Sequence, residues 1–233
     1  KSYVTSAGIA THYFFLCRIG EDSTQSDVSM LFVEGDKIDW EILEPWNGLG
    51  LRGNASSPMR FSGFVPEENR IGPEHAAMVE AGGMFQPVLG LTYAASYLGT
   101  ASGAFEVASR EGDRRFANGS RRLDSPINQR RMAELSTRIE SAQTLLHAAA
   151  SAFDEGRLTS MLPILQAKVV CSETAVWVTQ ELMTIFGGTA FAGRLPFERY
   201  FRDARASMIM AMPNDGAYQN IAELLFPQEP SEG

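Results

Sequence analysis

Cysteine is almost absent from this chain, in which Cys17 and Cys171 are the only two. Both lie in apolar surroundings, so we expect buried thiols rather than the disulfide framework of a secreted protein. Long hydrophobic runs are missing as well. No run approaches the ~18 consecutive apolar residues of a membrane helix, and no segment resembles a signal peptide. We therefore expect a cytoplasmic protein that does not insert into a membrane.

Positive charge is also in short supply. Lysine and arginine number 20 against 28 aspartates and glutamates, which gives a net charge of -8 and a pI near 5.0. Nucleic-acid affinity needs clustered cations that release counterions, so this balance argues against nucleic acid as a partner. The three histidines, His12, His75 and His147, are far apart in the sequence and lack metal-ligand spacing. We therefore expect no metal site.

Several familiar catalytic motifs are lacking too. The sequence contains no P-loop, no GxGxxG fingerprint and no nucleophile elbow of the Ser-His-Asp type, which argues against hydrolase and Rossmann folds. What the chain does have is apolar mass: 44% of its 233 residues are hydrophobic and 10% are aromatic. That is enough for a real core in one large domain or two small ones.

The first third of the chain has the character of strands. Runs rich in β-branched and aromatic residues alternate with turn-forming pieces such as residues 20–23, 34–36 and 66–69. The predicted strands cover residues 3–6, 11–19, 28–33, 38–43 and 59–64. We expect these segments to form an antiparallel sheet or part of a β-barrel, in a domain that spans residues 1–73.

After Pro73 the hydrophobic period becomes helical. Three seams with alternating spacings of three and four residues run over 88–105, 132–153 and 158–186, and seams of that length bury against each other. The short connection Asp154-Glu155-Gly156 predicts that the second and third helices are antiparallel, and residues 195–210 and 217–226 supply further helix. The predicted fold class is therefore α+β, with an all-α, up-down four-helix-bundle-type domain over residues 74–233. The polar tail 228–233 is predicted to be loose.

Arginines crowd the stretch between the first two predicted helices. They are Arg110, Arg114, Arg115, Arg121, Arg122, Arg130 and Arg131. Guanidinium groups suit phosphate, so such a loop could clamp an anionic ligand; the alternative, which composition favours, is a solvated linker whose charges meet acidic neighbours. Gly187-Gly188 has two interpretations as well: a backbone that a pyrophosphate can approach, or a simple helix stop.

Four features together resemble the acyl-CoA dehydrogenase superfamily of flavoproteins. The opening KSYVTSAG is similar to the family's strand beside the flavin ring, and GLGLRGNASSPMRFSGFVPEENRIG, residues 48–72, is similar to its G-x-R-G/S-S … F-x-x-V-x-V-P … N-x-x-G passage. TIFGGTAFAGRLPFERYFRDARA, residues 184–206, is similar to its Q-I-x-G-G-x-G-(Y/F) … P-x-E-R-x-x-R-D-A block. The fourth feature is the order of sheet and then bundle. The resemblance covers nearly the whole chain from the family's middle β domain onward, so the family's N-terminal helical domain would precede Lys1.

The resemblance implies FAD as the cofactor. Tyr3 would pack by the isoalloxazine ring, and Thr5 and Ser6 would hydrogen-bond its N5 and O4 side and tune the hydride acceptor. Asn214 would take over the flavin contact that the family makes with a threonine.

The resemblance also implies that a second copy of the chain grips the FAD tail. That copy would use Arg115, Thr184 and the backbone of Gly187 and Gly188, so a homodimer or homotetramer follows. Asn118 stands where the family prefers phenylalanine, and Thr184 stands where it prefers glutamine.

The catalytic residue implied by the resemblance is missing. The family's reaction removes the α-proton of an acyl thioester with a carboxylate while a hydride passes to the flavin. Most relatives carry that glutamate nine residues after the arginine of R-D-A, which falls on Ala211 here, and the other position used in the family falls near Leu89. Asp215, beyond Pro213, is the candidate that remains, and its alternative role is an N-cap for the next helix.

Three function classes stay open on these grounds. The resemblance favours an FAD-dependent dehydrogenase of an acyl thioester, on CoA or on a carrier protein, with a place in fatty acid metabolism and room for an electron-transfer partner. The second class is a flavin-dependent monooxygenase or oxidase of the same fold, which needs no α-proton base. The third is a non-catalytic partner subunit of an active paralogue. Pro87 and Gly90 stand where common relatives place an aspartate and an arginine for the thioester and CoA, which predicts an atypical, apolar substrate pocket.

Overall fold

The chain divides into two compact units, Lys1–Gln86 and Pro87–Gly233. The computed structural model describes residues 1–18, 20, 27–77, 85–157, 159–210 and 212–227. The tail 228–233, which the sequence predicts to be loose, lies outside the described residues. The domain assignment of 1–73 and 74–233, preceded by a helical domain, stays a prediction.

The first unit consists of two small antiparallel sheets. Strand β1 spans His12–Arg18, β2 Val28–Glu34, β3 Asp39–Ile42, β4 Met59–Ser62 and β5 Arg70–Ile71. One sheet has the order β1-β2-β5, and β3 pairs with β4 in the other. The described strands form no closed barrel, so of the two predicted alternatives the sheet is confirmed.

The core of the first unit follows the alternation of its strands. Tyr13 on β1 lies opposite Val33 on β2, and each is 3% exposed. The ring of Tyr13 meets Phe61 of β4 edge-on, with the ring centroids 5.2 Å apart, and Met59 is fully buried beside them. Alternate side chains of β1 therefore join two different apolar clusters: Tyr13 and Phe15 pack with Met59 and Phe61, and Leu16 packs with Val28 and Met30.

The predicted strand at residues 3–6 is wrong. Val4 alone forms a bridge, to Ser57, and the chain then turns at Ser6, whose φ of 58° is left-handed. The carbonyl oxygen of Ser6 accepts hydrogen bonds from the backbone N–H groups of Ile9 and Ala10, each at 3.0 Å. Small and polar residues satisfy the backbone locally in a turn, and that preference outweighs the short β-like run.

The second unit is helical, as predicted. Helix α1 spans Gln86–Asp113, α2 Pro126–Asp154, α3 Leu162–Phe186, α4 Gly188–Phe191, α5 Phe197–Arg205 and α6 Asn214–Leu225. The three long seams are confirmed as helices, although Leu158, at the start of the third seam, lies outside the described residues. The predicted helix 195–210 is shorter, because α5 ends at Arg205 and a 3-10 turn, Ala206–Met208, follows.

Helices α2 and α3 run antiparallel, as the short connection predicts. Arg131 reaches Glu181 at 3.9 Å, the Arg138 guanidinium lies 4.2 Å from the centroid of Trp177, and Cys171 Sγ is 3.9 Å from the carbonyl oxygen of Ala142. As the residue number on α2 rises, the residue number of its contact partner on α3 falls, so the two helices are antiparallel.

Helix α3 is the centre of the second unit and contacts α2, α5 and α6. Buried residues recur around most of its circumference, from Ile164 to Phe186, whereas the buried residues of α2 fall on one stripe that includes Leu135, Ile139 and Leu146. A helix that is apolar on most sides needs neighbours on most sides. Searched over its described residues, the structure has no helix long and apolar enough to cross a membrane.

The two free thiols differ sharply in burial, and we expect them to differ in reactivity. Cys171 is 0% exposed, and burial raises the pKa of its thiol to about 12, whereas Cys17 is only partly buried. Because the thiolate is the reactive form and needs access, a disulfide reagent at pH 8 should label Cys17 in the native protein and Cys171 only after unfolding. Peptide mass spectrometry with and without guanidinium checks this, and equal labelling of both thiols in the native protein would contradict it.

Candidate functional site

The arginine-rich loop between α1 and α2 is a small ordered hairpin. Arg115 and Arg121 form an antiparallel bridge, and the N–H of Phe116 donates to the carbonyl oxygen of Ser120 at 2.8 Å. The Arg115 guanidinium donates to the carbonyl oxygen of Gly119 at 2.7 Å, while the Asn118 side chain accepts from Ser120. The loop therefore holds Arg115 in place before any ligand binds.

Several arginines of this region meet acidic neighbours, as the linker interpretation predicts. Arg121 lies 2.6 Å from Asp113 and 2.8 Å from Asp124. The backbone N–H and guanidinium of Arg121 both bond to Asp124 and hold the pKa of that carboxyl below its usual range. Such exposed pairs contribute little to stability, but they fix the direction of the loop.

Arg122 fastens the loop to the far end of α3. Its guanidinium donates to the carbonyl oxygen of Ile185 at 2.9 Å and lies 4.9 Å from the ring centroid of Phe186 and 5.7 Å from that of Phe116. The sequence places Arg122 among the clustered arginines but gives no sign of this role. This hydrogen bond satisfies one of the unpaired carbonyl groups at the C-terminal end of α3, and the positive charge of Arg122 offsets part of the partial negative charge there.

This attachment brings two separate sequence candidates to one cavity. The cavity has a volume of about 380 Å³, and its lining comprises Glu111, Arg114, Arg115, Phe116, Arg122, Phe186, Thr189, Arg194 and Leu195. Phe186 and Thr189, which line the cavity, flank Gly187-Gly188 in the sequence, so the glycine pair lies next to the cavity that Arg115 lines, although neither glycine is part of the lining. Four arginines against one glutamate concentrate positive charge here in a chain of net charge -8. The chemistry of this lining suits a phosphate or pyrophosphate.

The glycine pair is a helix stop, as one of its two interpretations predicts, and approach of a pyrophosphate stays a prediction. Gly187 ends α3, with φ 53° and ψ -133°, and its N–H donates to the carbonyl oxygen of Met183 at 2.8 Å. Gly187 and Gly188 are exposed, and no described atom lies within 4 Å of where a β-carbon would stand on either. Thr184, one turn earlier, is exposed, and its hydroxyl donates to the carbonyl oxygen of Gln180 at 3.4 Å. The helix stop therefore leaves a bare backbone beside the arginines.

Gly187→Ala is expected to destabilise the protein by about 1–3 kcal/mol, because the backbone angles of Gly187 are open almost only to glycine. Gly188→Ala is the matched control and should change stability by less than about 0.5 kcal/mol, because Gly188 begins a helix and its β-carbon would meet open space. Urea unfolding of both variants measures the difference. Equal losses would show that the conformation of Gly187 is not special.

The candidates in the first unit lie beside a second cavity, of about 580 Å³. Tyr3 is 78% exposed and lines it together with Trp46 and Ser56. The side-chain oxygens of Thr5 and Ser56 are 3.3 Å apart. Ser6 has a left-handed backbone conformation and begins the turn that follows. Trp46 and Ser56 were missed from the sequence; the signal was available, because both lie within or beside the G-x-R-G/S-S passage that carries the resemblance.

The candidates near the end of the chain have different surroundings. Asp215 is exposed in the first turn of α6, whose N-cap is Pro213, so the alternative role of Asp215 as the N-cap is wrong. Asn214 is 3% exposed, and its side-chain oxygen accepts a hydrogen bond from Lys168 Nζ at 2.6 Å. Ala211, which takes the place of the family's glutamate, lies outside the described residues.

Lys168 is a buried cation that the sequence did not single out. It is 3% exposed, and burial lowers its pKa to about 8. Its Nζ donates to the carbonyl oxygens of Ser207 at 3.2 Å and Met212 at 2.6 Å, in addition to Asn214. Searched over the described residues, the structure has no group of three or more His, Cys, Asp or Glu side chains that could hold a metal ion.

Comparisons with known proteins agree with these features. Cyclohexane-1-carbonyl-CoA dehydrogenase of Geobacter metallireducens is 29% identical over 233 residues, which cover 98% of this chain and 58% of the relative. The amino sugar nitrososynthase DnmZ of Streptomyces peucetius is 28% identical over 219 residues, which cover 90% of this chain and 54% of the relative. The chain thus spans little more than half the length of these relatives.

Solved structures share the fold. Butyryl-CoA dehydrogenase from Megasphaera elsdenii superposes with a TM-score of 0.88 at 24% identity, over 97% of this chain and 58% of that one. The structure of PigA with FAD and proline gives a TM-score of 0.83 at 22% identity, over 95% and 57%. The model of the acyl-CoA dehydrogenase C-terminal domain matches residues 90–225, more than half of the chain. The resemblance seen in the sequence is therefore confirmed, and the chain belongs to the acyl-CoA dehydrogenase family.

Proposed function

We propose that the protein is an FAD-dependent oxidoreductase that acts on the CH–CH group of an acyl thioester carried by CoA or by a carrier protein. The observation that supports FAD as the cofactor is the arginine-lined cavity beside Gly187-Gly188. Membership of the family supports the assignment of the reaction class. In this proposal the protein works in the cytoplasm, because its two cysteines are free.

The residues at this cavity fit the diphosphate of a dinucleotide. Arg115 would hold the phosphates through its guanidinium, and the exposed backbone at Gly187 and Gly188 would allow close approach. Thr184 stands one turn before, with a hydroxyl on the surface of α3. The cavity volume of about 380 Å³ lies in the range of ligand sites, ~300–1,000 Å³.

The ring end of the cofactor would meet the first unit of another copy of the chain, because the resemblance implies that ring and tail are held by different copies. Tyr3 would pack against the ring, and Thr5 and Ser6 would hydrogen-bond its polar edge. FAD, when bound, supplies the acceptor of a hydride. Because the resemblance implies that a second copy of the chain grips the cofactor tail, we propose a homodimer or homotetramer, with an external electron acceptor for the reduced form.

Removal of the α-proton would need a base at a position other than the one that most of the family uses. The stretch from Ala206 to Pro213 contains no acidic residue, and Asp215, just beyond it, is exposed in the first turn of α6. We propose Asp215 as the candidate for a relocated base. A general base must come within hydrogen-bond reach of the proton it removes, so this role requires the substrate to approach the start of α6.

The substrate side of α1 supports an apolar ligand. The Cγ2 atom of Ile164 lies 2.8 Å from where a β-carbon on Gly90 would stand. An arginine at position 90, as in common relatives, would therefore have to displace a fully buried isoleucine. Pro87 is also buried and cannot supply a carboxylate. The usual charged contacts to the thioester and CoA are thus replaced, and we propose a substrate other than a standard fatty acyl-CoA.

An oxidase or monooxygenase of the same fold is the second candidate. Alanine at position 211 favours it, because reaction of a reduced flavin with oxygen needs no α-proton base. The similarity to a nitrososynthase at 28% identity supports it as well.

Anaerobic addition of cyclohexane-1-carbonyl-CoA to the FAD-loaded full-length protein tests the proposal, because this acyl thioester carries no fatty acyl chain and appears in the name of a relative that is 29% identical. If the protein is a dehydrogenase, the acyl thioester alone should bleach the flavin absorbance near 450 nm without a reductase. About one equivalent of substrate should reduce one flavin. Bleaching only with an external reductase, followed by oxygen uptake, would replace the proposal by the oxidase or monooxygenase. Flavin binding only in the presence of another subunit would identify a non-catalytic partner.

A further inference from the structure

A single buried ammonium group joins three places in the chain. Lys168 lies in the second turn of α3, and its Nζ contacts the carbonyl oxygens of Ser207 and Met212 and the side-chain oxygen of Asn214. Ser207 belongs to the 3-10 turn after α5, and Asn214 is the first residue of α6. One side chain thus holds both ends of the segment 206–213, which we call the α5–α6 connector.

Further contacts tie the connector to the same point. The Ser207 hydroxyl donates to the carbonyl oxygen of Ser172 at 3.2 Å, and the Ser172 hydroxyl donates to that of Lys168 at 2.7 Å. The side-chain amide of Asn214 lies 3.5 Å from the sulfur of Met208. Lys168, Ser172, Ser207 and Asn214 are each at most 3% exposed, so water has little access to these polar groups.

The connector carries the position at which the family's catalytic glutamate would stand. We propose that Lys168 is a positioning residue, whose ammonium group fixes the α5–α6 connector in the conformation that the reaction requires. The proposal rests on the proposed function insofar as it links the connector to the reaction. The anchoring itself stands on the three hydrogen bonds and on burial.

The number of acceptors identifies the charge state that anchors the connector. Three oxygen atoms match the three N–H bonds of an ammonium group, whereas a neutral amine has only two and would leave one carbonyl or amide oxygen without a donor. An unpaired buried acceptor is costly. The same geometry argues against Lys168 as the missing base, because its nitrogen has no lone pair directed at a substrate while all three hydrogen bonds exist.

Several charged side chains on the packed helices have partners other than Lys168. The charged and titratable side chains on α3, α5 and α6 besides Lys168 are Cys171, Glu173, Glu181, Glu198, Arg199, Tyr200, Arg202, Asp203, Arg205, Asp215, Tyr218 and Glu223. Glu173 accepts from Tyr218 at 2.8 Å, Arg205 lies over Phe201, and Asp215 is exposed. The lowered pKa of Lys168, about 8, has burial as its cause. At pH 7 the ammonium form therefore dominates, and it declines above pH 8.

Two methionines report on the connector without any substitution. In the full-length protein labelled with methyl-13C methionine, the methyl signals of Met208 and Met212 should shift together between pH 6.5 and 9.5, with a midpoint near the pKa of Lys168. Met30 and Met59, buried in the first unit, serve as internal controls and should not follow that titration. Chemical shifts of Met208 and Met212 that do not change with pH would overturn the proposal. Because the measurement uses the unmodified sequence, it does not depend on the folding of any variant.

Lys168→Gln gives the second test. We expect hydrogen exchange of the amides in 206–214 to rise by about tenfold or more, with α2 unchanged. With saturating cyclohexane-1-carbonyl-CoA, flavin reduction should slow by about tenfold while FAD stoichiometry stays the same. The matched control is Lys37→Gln, which replaces an exposed lysine in the first unit and should change neither quantity.

The outcomes separate the two proposals. A connector that titrates and loosens in a protein that binds no FAD would leave the anchor standing and remove the proposed function. Exchange that rises equally throughout the second unit would reduce Lys168 to a general stabilising role and overturn the proposal. The proposal would also be overturned if Lys168→Gln left both the hydrogen exchange of the connector and the rate of flavin reduction unchanged.

Discussion

Replacing Arg115 by alanine is expected to weaken FAD binding by about 10- to 100-fold. A hydrogen bond to a charged group contributes about 1.5–3 kcal/mol, and each 1.4 kcal/mol corresponds to about a factor of ten in affinity. Arg115 lines the cavity beside Gly187-Gly188, and the loop already orients its guanidinium through Gly119. Little ordering is then needed when the ligand binds, so most of the interaction energy should contribute to affinity.

Two further variants make this prediction specific. Arg110→Ala removes an arginine from the same region, but Arg110 does not line the cavity, is 67% exposed in its side chain and pairs with Glu111. It should change FAD affinity by less than about twofold. Arg115→Lys keeps the charge but not the planar fork and should lie between. Titration of the apoprotein with FAD, followed by flavin fluorescence, measures all three; equal effects of Arg115→Ala and Arg110→Ala would contradict a site at this cavity.

Leu182→Ala is expected to lower the free energy of unfolding by about 3–5 kcal/mol. Leu182 is 0% exposed on α3, the helix that contacts α2, α5 and α6. Its truncation removes apolar contacts on a helix that has neighbours on most sides, and the cavity left behind cannot collapse easily. Because the total stability of a domain is about 5–15 kcal/mol, this single change would remove a large part of it.

Leu224→Ala on α6 is the matched control, since Leu224 is 43% exposed. It should cost less than about 1 kcal/mol, because a partly exposed side chain loses less contact and leaves no closed cavity. Urea unfolding followed by circular dichroism gives both values. Similar losses for the two variants would contradict the central position of α3 in the second unit.

The long helices could be predicted because their burial follows a single physical pattern. Leu135, Ile139 and Leu146 recur at spacings that keep them on one face of α2, and all three are buried. The ends of elements were harder to predict. Pro213 allows α6 to begin at Asn214, where the sequence placed the start at residue 217. The polar run after Val4 forms a turn because its backbone groups are satisfied locally, a competition that alternation alone does not reveal.

The candidate site was predictable in its parts and not in its assembly. Arg115 and Gly187 were each recognisable, but the cavity that brings Arg115 next to the end of α3 depends on the contact between Arg122 and Ile185, which the sequence does not reveal. Lys168 was missed because an isolated lysine on a helix usually lies on the solvated face. Its sequence signal was its place among buried neighbours such as Ala167 and Val169 on α3, and its partners lie about 40 residues further along the chain.

The most direct test of the account is whether the protein binds a flavin nucleotide. The full-length protein, stripped of cofactor and titrated with FAD, should bind about one FAD per chain with a dissociation constant at or below the micromolar range, turn yellow and show quenched flavin fluorescence. A protein that purifies colourless and binds no FAD at micromolar concentrations would contradict the assignment of the arginine-lined cavity and the function built on it.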